Sequence, residues 1–447
     1  MAPGVKKQAQ TMRKTLLFLL AAVLSMAVAP GHAAPATVLH VSPKGSDRNP
    51  GTSSKPFRTI AAAADRARPG TVIEVAPGVY GDRVRLDTPH VTVRGVGADL
   101  PLLRAKDGAA FEVVKGVSNI RLERFRIEGY TWGISLMGGN RAIQIAECSV
   151  TGAEAGIHLT AGENPAPVQD ILIDRCTIRA SIYSGIDGTP GPVHNLVVRR
   201  CRVEKNGATA GYGGDGIAVE TGDAIVVEGC VIRDNGGDGV DIGSRATGPS
   251  PGNVVRDCAV VGNQKNGIKL WRGGSIENCL VARSGGTGVF LAYGGDYAIR
   301  ATTIVNNARV ARDYALTAGY DADPKSGRPP EMRLDMDRCI IALNGPEAEP
   351  TGIYVGAAVT LRERDNVFFS REDEEAMLAG RKPDIVSRED VARGGWPARK
   401  GDEHAGSTCS DPRFVNPEIG DYRVAEDAGW RDRGARDEIS RYGAAAY

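Results

Sequence analysis

Apolar residues recur along this chain in short alternating runs rather than in helical stripes. From Phe125 onward the runs pair a first residue with an apolar one two places later: Phe125/Ile127, Cys148/Val150, Cys176/Ile178, Cys201/Val203 and Cys230/Ile232. The series continues with Cys258/Val260, Cys279/Val281, Thr302/Ile304 and Cys339/Ile341. Side chains two apart share one face of a strand, so each pair predicts a short strand with that face buried. The intervals from Phe125 to Thr302 are 23, 28, 25, 29, 28, 21 and 23 residues. Five residues after the first position stand Asn206, Asn235, Asn263, Asn307 and Asn344, with Ser284 in the same series. Asparagine tolerates left-handed backbone and bonds neighbouring amides, so this stack is expected to line a turn. A glycine–apolar pair then opens a second strand: Gly133-Ile134, Gly156-Ile157, Gly185-Ile186, Gly216-Ile217, Gly239-Val240, Gly267-Ile268 and Gly288-Val289.

A unit of this length cannot bury its apolar faces alone. Stacking like units solves the problem and makes the strands parallel. Parallel crossovers are overwhelmingly right-handed. The predicted fold is therefore all-β, a right-handed parallel β-helix, in a single domain spanning residues 34–447. Its open core needs a cap, and Pro56 to Ala64 reads as a short N-terminal capping helix followed by a strand at Val72 to Val75. The cap is expected over 34–80, an irregular charged surface excursion over 371–400, and a closing segment over 409–447.

Composition changes this picture in three places. Glycine is abundant at 57 residues and aromatics are sparse at 5%, which suits many short strands and tight turns. The N-terminus carries Lys6, Lys7, Arg13 and Lys14 before an apolar run from Thr15 to Val28 and the small residues of Gly31-His32-Ala33. That is the pattern of an export signal, predicted over 1–33, and the run is too short to span a bilayer. The mature chain is then expected to be secreted or periplasmic, with no membrane association after cleavage, and monomeric. The whole chain is +1, with 55 basic and 54 acidic residues; without those four cations it is about −3. A near-neutral surface has no broad field for polyanions, so nucleic acid is not an expected partner. Seven of the eight cysteines occupy the first strand position. Thiols stacked on parallel strands approach one another poorly for a disulfide, so they are expected to stay as buried free thiols. Cys409 lies outside that ladder.

The candidate chemistry sits on the second strand. The residue after each glycine–apolar pair should point outward, giving Ser135, His158, Asp187, Ala218, Asp241, Lys269 and Phe290 in order. Asp215 and Asp238 stand just before their glycines. Asp215, Asp238 and Asp241 should thus gather on adjacent coils about 4.8 Å apart, with Lys269 on the next. Such close carboxylates call for a cation, and an oxygen-rich set suits calcium, with Glu220 as a further ligand. Acids are also ordinary in solvated turns, and a lysine beside Asp241 is equally a simple surface ion pair. Trp271 and Phe290, with Arg272 and Asp187, are candidates for contact with a substrate; the two aromatics either stack on a sugar ring or pack beneath a loop.

Two resemblances rest on these residues. Val41-Ser42-Pro43-Lys44-Gly45-Ser46-Asp47, with Pro56-Phe57-Arg58-Thr59-Ile60 and Pro77-Gly78-Val79-Tyr80, resembles the N-terminal cap of bacterial parallel β-helix proteins. Asp411-Pro412-Arg413-Phe414 and Asp421-Tyr422-Arg423-Val424 resemble their closing coil. Asn235-Gly236-Gly237-Asp238-Gly239-Val240-Asp241-Ile242 and Asn266-Gly267-Ile268-Lys269-Leu270 resemble the family-nine polysaccharide lyases, the pectate lyase group. That resemblance implies calcium ligands at Asp238 and Asp241, a further ligand at Asp215, and a catalytic base at Lys269. Gly237 departs from the pattern, standing where the family has an acid. The implied activity is β-elimination in an acidic, uronate-containing polysaccharide. A glycoside hydrolase, an alginate lyase or epimerase, and a non-catalytic carbohydrate-binding β-helix remain alternatives at this point.

Overall fold

A computed structural model describes residues 37–159, 166–207, 213–243, 252–308, 313–319, 331–344, 352–356, 358–369, 378–379 and 401–440. The export segment over 1–33 and nearly all of 371–400 lie outside the described residues. Strands follow one another in threes. Val193–Arg199 belongs to a first sheet, Arg202–Glu204 to a second, Ile217–Val219 to a third, and Gly222–Glu228 returns to the first. Repetition builds parallel sheets of 14, 13 and 12 strands around one apolar core. The chain is a parallel β-solenoid with only short helices. No helix among the described residues is long and apolar enough to cross a membrane.

The capping helix is shorter than the apolar run suggested, Ile60–Ala64. The Thr59 side chain accepts from Ala62 N at 3.2 Å, as an N-cap should. Residues 56–58 instead enter the coil, where Phe57 bridges to Val41.

The cysteine ladder lies in the corner before the second sheet. Each thiol donates to the carbonyl two residues back, at 3.3 Å for Cys230 to Glu228 and 3.1 Å for Cys258 to Arg256. Backbone N–H groups of Cys176, Cys201 and Cys230 point to the next coil's sulfur at 3.4 Å. Thr302 substitutes in the series with its hydroxyl bonded to Arg300 O at 2.9 Å. The position therefore selects a small side chain with a weak donor, and not merely a small apolar one. No disulfide joins the cysteines. Burial pushes the Cys339 thiol up to about 12, far from the thiolate form that reacts. Cys409 pairs in register with Phe368, so it continues the neighbouring apolar row.

The left-handed residues are not the ladder asparagines. At each turn they are the preceding residues, including Lys205, Asp234, Asn306 and Leu343, with φ between 53 and 58°. The asparagines face inward and bond up the stack: Asn206 Nδ2 to Asn235 Oδ1 at 3.0 Å, and Asn235 Nδ2 to Asn263 Oδ1 at 2.9 Å. They satisfy buried turn amides that no strand reaches.

Outward from the first sheet, one register column reads Glu74, Arg94, Glu123, Ala146, Asp174, Arg199, Glu228, Arg256, Glu277, Arg300, Asp337 and Arg364. Charge alternates at every step except Ala146. Ion pairs join neighbours, at 2.6 Å for Arg94–Glu74 and 2.8 Å for Arg256–Glu228.

The C-terminal residues differ from the expected closing coil. The coil runs on to Glu403–Ala405 and Thr408–Cys409. Phe414–Asn416 and Asp421–Val424 then pair antiparallel, and this hairpin folds back over the outside of the second sheet. Tyr422 and Val424 join a separate apolar cluster with Val261, Leu280 and Ile340. Gly434 N bonds to Arg338 O at 2.7 Å. The reason is apolar outward residues on the second sheet, such as Leu280 and Ile340, which need cover.

Candidate functional site

The third sheet carries the outward column as expected. Ser135, His158, Asp187, Ala218, Asp241, Lys269 and Phe290 are direct register partners in that order. Glycine before each strand is required by the close stacking of these corners. A Cβ on Gly239 would lie 2.5 Å from Val260 Cγ1 and 2.6 Å from Gly267 O.

Three coils bring Asp215, Asp238, Asp241 and Lys269 together. Asp238 N–H donates to Asp215 Oδ1 at 2.7 Å. Asn266 grips Asp238 Oδ1 through its backbone N–H at 2.8 Å and its side-chain amide at 2.9 Å. The Lys269 ammonium lies 3.4 Å from Asp241 Oδ2 and 3.8 Å from Asp238 Oδ2. Its side chain keeps 16% of its surface in solvent, against 3% for Asp241 and 7% for Asp238. The lysine is thus the accessible lid of a buried carboxylate cluster.

That burial has an electrostatic consequence. Desolvation, reinforced by the Asp238 and Asp241 charges, pushes Asp215 up to about 8. Desolvation likewise raises Asp241 to about 6, against the opposing pull of Lys269. Burial and mutual repulsion thus work against all of these carboxyls being ionised at once.

Trp271 departs from the expected sugar-stacking role. It is only 7% exposed, its indole N–H donates to Asp241 Oδ1, and its ring lies 5.2 Å from Tyr293. Lys269 Nζ rests 4.5 Å above it, so the ring is the floor of the site and packing prevails. Phe290, half-buried, flanks the same ammonium at 5.9 Å. Arg272 is drawn away from the cluster, its guanidinium 4.8 Å over the Tyr293 ring.

Calcium fits this set in chemistry but not in its present arrangement. The donors are carboxyl oxygens, which suit a hard cation. Among the described residues, however, no three acidic, histidine or cysteine side chains converge to hold a metal. The carboxylates turn instead to Lys269, Trp271 and Asn266. Gly237 cannot supply the missing acid: a Cβ there would lie 2.1 Å from Asp215 Oδ1 and 2.5 Å from Gly213 O. Glu220, on the Asp215 coil, is near enough to add to the negative field on Asp241.

Asp187 lies apart from this cluster, two coil steps from Asp241. Burial pushes its carboxyl up, but His158 and Thr189 outweigh that and hold it below the ordinary value. Thr189 N donates to Oδ1 at 3.0 Å, and His158 Nδ1 faces Oδ2 at 3.6 Å. The His158 ring in turn stacks on Trp132, centroids 5.6 Å apart and planes 9° apart. This grouping was not anticipated, although His158 stands in the outward column; Trp132 precedes its glycine and so falls outside that series.

Residues 110–281 match the family profile described as a right handed beta helix region. The coil is a right-handed β-helix. Residues 43–96, the N-terminal cap, match a family described as a protein of unknown function (DUF1565). The uncharacterized protein YwoF of Bacillus subtilis (strain 168) is 48% identical over 52 residues, 12% of this chain and 11% of that protein. Pectate lyase Pel9A is similar in structure at 14% identity, covering 89% of this chain and 91% of its own, with a TM-score of 0.44. A rhamnogalacturonan lyase gives 15%, 90%, 95% and 0.45 in the same terms. The A-module of mannuronan C-5 epimerase AlgE6 from Azotobacter vinelandii gives 16%, 79%, 93% and 0.48.

Proposed function

We propose that this chain is an exported polysaccharide lyase that cleaves an acidic, uronate-containing polymer by β-elimination, with Lys269 as the base. The supporting observation is the placement of Lys269: a partly exposed side chain on the outward column, one coil from Asp241, with its amine within 4 Å of two buried carboxylates. The C5 proton of a uronate passes to the amine. The C5–H electron pair then forms the C4–C5 double bond, and the C4–O bond breaks with its electrons leaving on the glycosidic oxygen, which takes a proton from solvent water. Lys269 lies 3.8 Å from Asp238 and 3.4 Å from Asp241, so a cation that drew those carboxylates away would free the amine to act as the base. Asp215, Asp238, Asp241 and Glu220 are the residues that would hold calcium. Bound there, the ion would supply positive charge to offset the carboxylates and stabilise charge developing on the substrate.

The test is a panel of polyuronates, assayed with and without added calcium for the ultraviolet absorbance of the conjugated unsaturated product. Appearance of that chromophore supports the reading, and cleavage without it contradicts it. One observation favours a second reading, a glycoside hydrolase. Asp187 and Asp241 stand on one column two coil steps apart, about 9.6 Å at the spacing of parallel strands, close to the widest separation of a proton-donating and a proton-accepting carboxyl. Hydrolysis would release reducing ends with no ultraviolet band.

A further inference from the structure

We infer that the third-sheet face carries a second saccharide subsite, built from Trp132, His158 and Asp187, in line with the Lys269 cluster. It rests on the polysaccharide reading above and extends it to the length of chain the protein takes. Four register steps separate His158 from Lys269 through Asp187, Ala218 and Asp241, about 19 Å at ~4.8 Å per coil. The two groups face the same way because they share one column, and a polymer laid along it meets both.

The grouping has the make-up of a sugar site. Trp132 is one of the few large apolar side chains left in solvent, 37% exposed. Its ring lies parallel to the imidazole of His158. An exposed, immobilised aromatic face is what the apolar face of a sugar ring stacks on. Polar groups stand beside it. Asp187 is fixed by Thr189. His158 Nδ1 is buried without a hydrogen-bond partner, the Asp187 carboxylate standing off at 3.6 Å. In the proposed subsite the imidazole contributes a hydrogen bond to a sugar hydroxyl through Nε2. Such a pair of aligned polar groups beside an apolar platform orients a ligand. Between the clusters stands Tyr183, 46% exposed. Its backbone is packed so closely on Gly214 that a Cβ there would fall 2.4 Å from the Tyr183 carbonyl carbon. Tyr183 therefore sits beside Asp215, and Ala218 offers only a methyl group between Asp187 and Asp241.

The experiment measures binding of polygalacturonate and alginate fragments, disaccharide against octasaccharide, to the full mature chain bearing Lys269→Ala. Trp132→Ala and Trp132→Phe are added separately to that background, and the melting temperature of each variant is checked. The subsite predicts that Trp132→Ala weakens octasaccharide binding about tenfold or more. Trp132→Phe, which keeps an aromatic face, should restore most of that affinity, and only the long fragment should quench the Trp132 fluorescence. Octasaccharide affinity unchanged by Trp132→Ala would overturn the subsite while leaving the lyase reading intact. Trp132-dependent binding by a wild-type protein that produces no unsaturated sugar would keep the subsite and overturn the lyase. Failure of the octasaccharides of both polymers to bind would overturn both.

Discussion

The outward columns of the first and third sheets stack charged side chains at the same coil spacing, yet they are built on opposite rules. On the first sheet, Asp174, Arg199, Glu228, Arg256, Glu277 and Arg300 alternate in sign, and each charge meets its opposite on the next coil. On the third, Asp215, Asp238 and Asp241 crowd onto two coils, with Lys269 beside Asp238 and Asp241 and the Lys265 charge acting on Asp215. The first column neutralises itself and needs nothing further. In the second, burial and like charge push two carboxyls far from their ordinary range, a cost that folding alone gives no reason to retain. The lesson is that a charged column points to function by its imbalance, and not by its charge.

The comparison breaks first at Asp215. Its native carboxyl titrates near 8, against an ordinary value of 3.8. The folded protein therefore binds a proton that the unfolded chain releases. Its contribution to stability is full below the ordinary value and is lost as pH rises through that window. In a chelator, denaturant melts of the wild type should show stability falling from roughly pH 4 to pH 8. Asp215→Asn should flatten this dependence, and added calcium should restore stability at the alkaline end. A profile that Asp215→Asn leaves unaltered would contradict the imbalance.

Gly237→Asp supplies the acid that the lyase pattern has at this place. The Cβ collision with Asp215 Oδ1 and Gly213 O predicts a loss of about 1–3 kcal/mol in denaturant melts, and no gain in calcium affinity by calorimetry. Cys258→Ala removes one rung of the thiol ladder and should cost about 1 kcal/mol, with Cys258→Thr tolerated because Thr302 already fills an equivalent rung. The smallest effect belongs to the balanced column. Arg256→Ala breaks a partly exposed pair with Glu228 and should cost less than about 1 kcal/mol, with the difference reduced in high salt. A larger loss there would mean that the first sheet is not the inert half of the comparison.

Most of the coil was legible in the sequence because strand period and coil period are both backbone properties. Phe125, the cysteines and the glycine–apolar pairs mark them without reference to any contact, and the register of Asp241 with Lys269 followed directly. What was hidden depends on how side chains turn. The outward position of Trp271 was correctly placed, but a buried carboxylate seeking a donor drew its indole inward. Arg272 turned to the ring of Tyr293 on the next coil, 21 residues on like Phe290 from Lys269, a neighbour the coil spacing gives but the candidate series did not include. The left-handed turns fell on Lys205 and Leu343, residues with no turn signature, because the inward asparagines that follow bond the turn from inside. Gly237 looked like a lost ligand, whereas it is a steric requirement of Asp215.

The central claim is that Lys269 transfers a proton and is more than a charged anchor. Arginine at this position keeps the charge but cannot release its proton at working pH. The decisive measurement is the rate of unsaturated-product formation by Lys269→Arg, on the polyuronate that the wild type cleaves fastest, with octasaccharide binding measured alongside. The account predicts turnover reduced almost to that of Lys269→Ala with binding nearly unchanged. Substantial elimination by Lys269→Arg would contradict it.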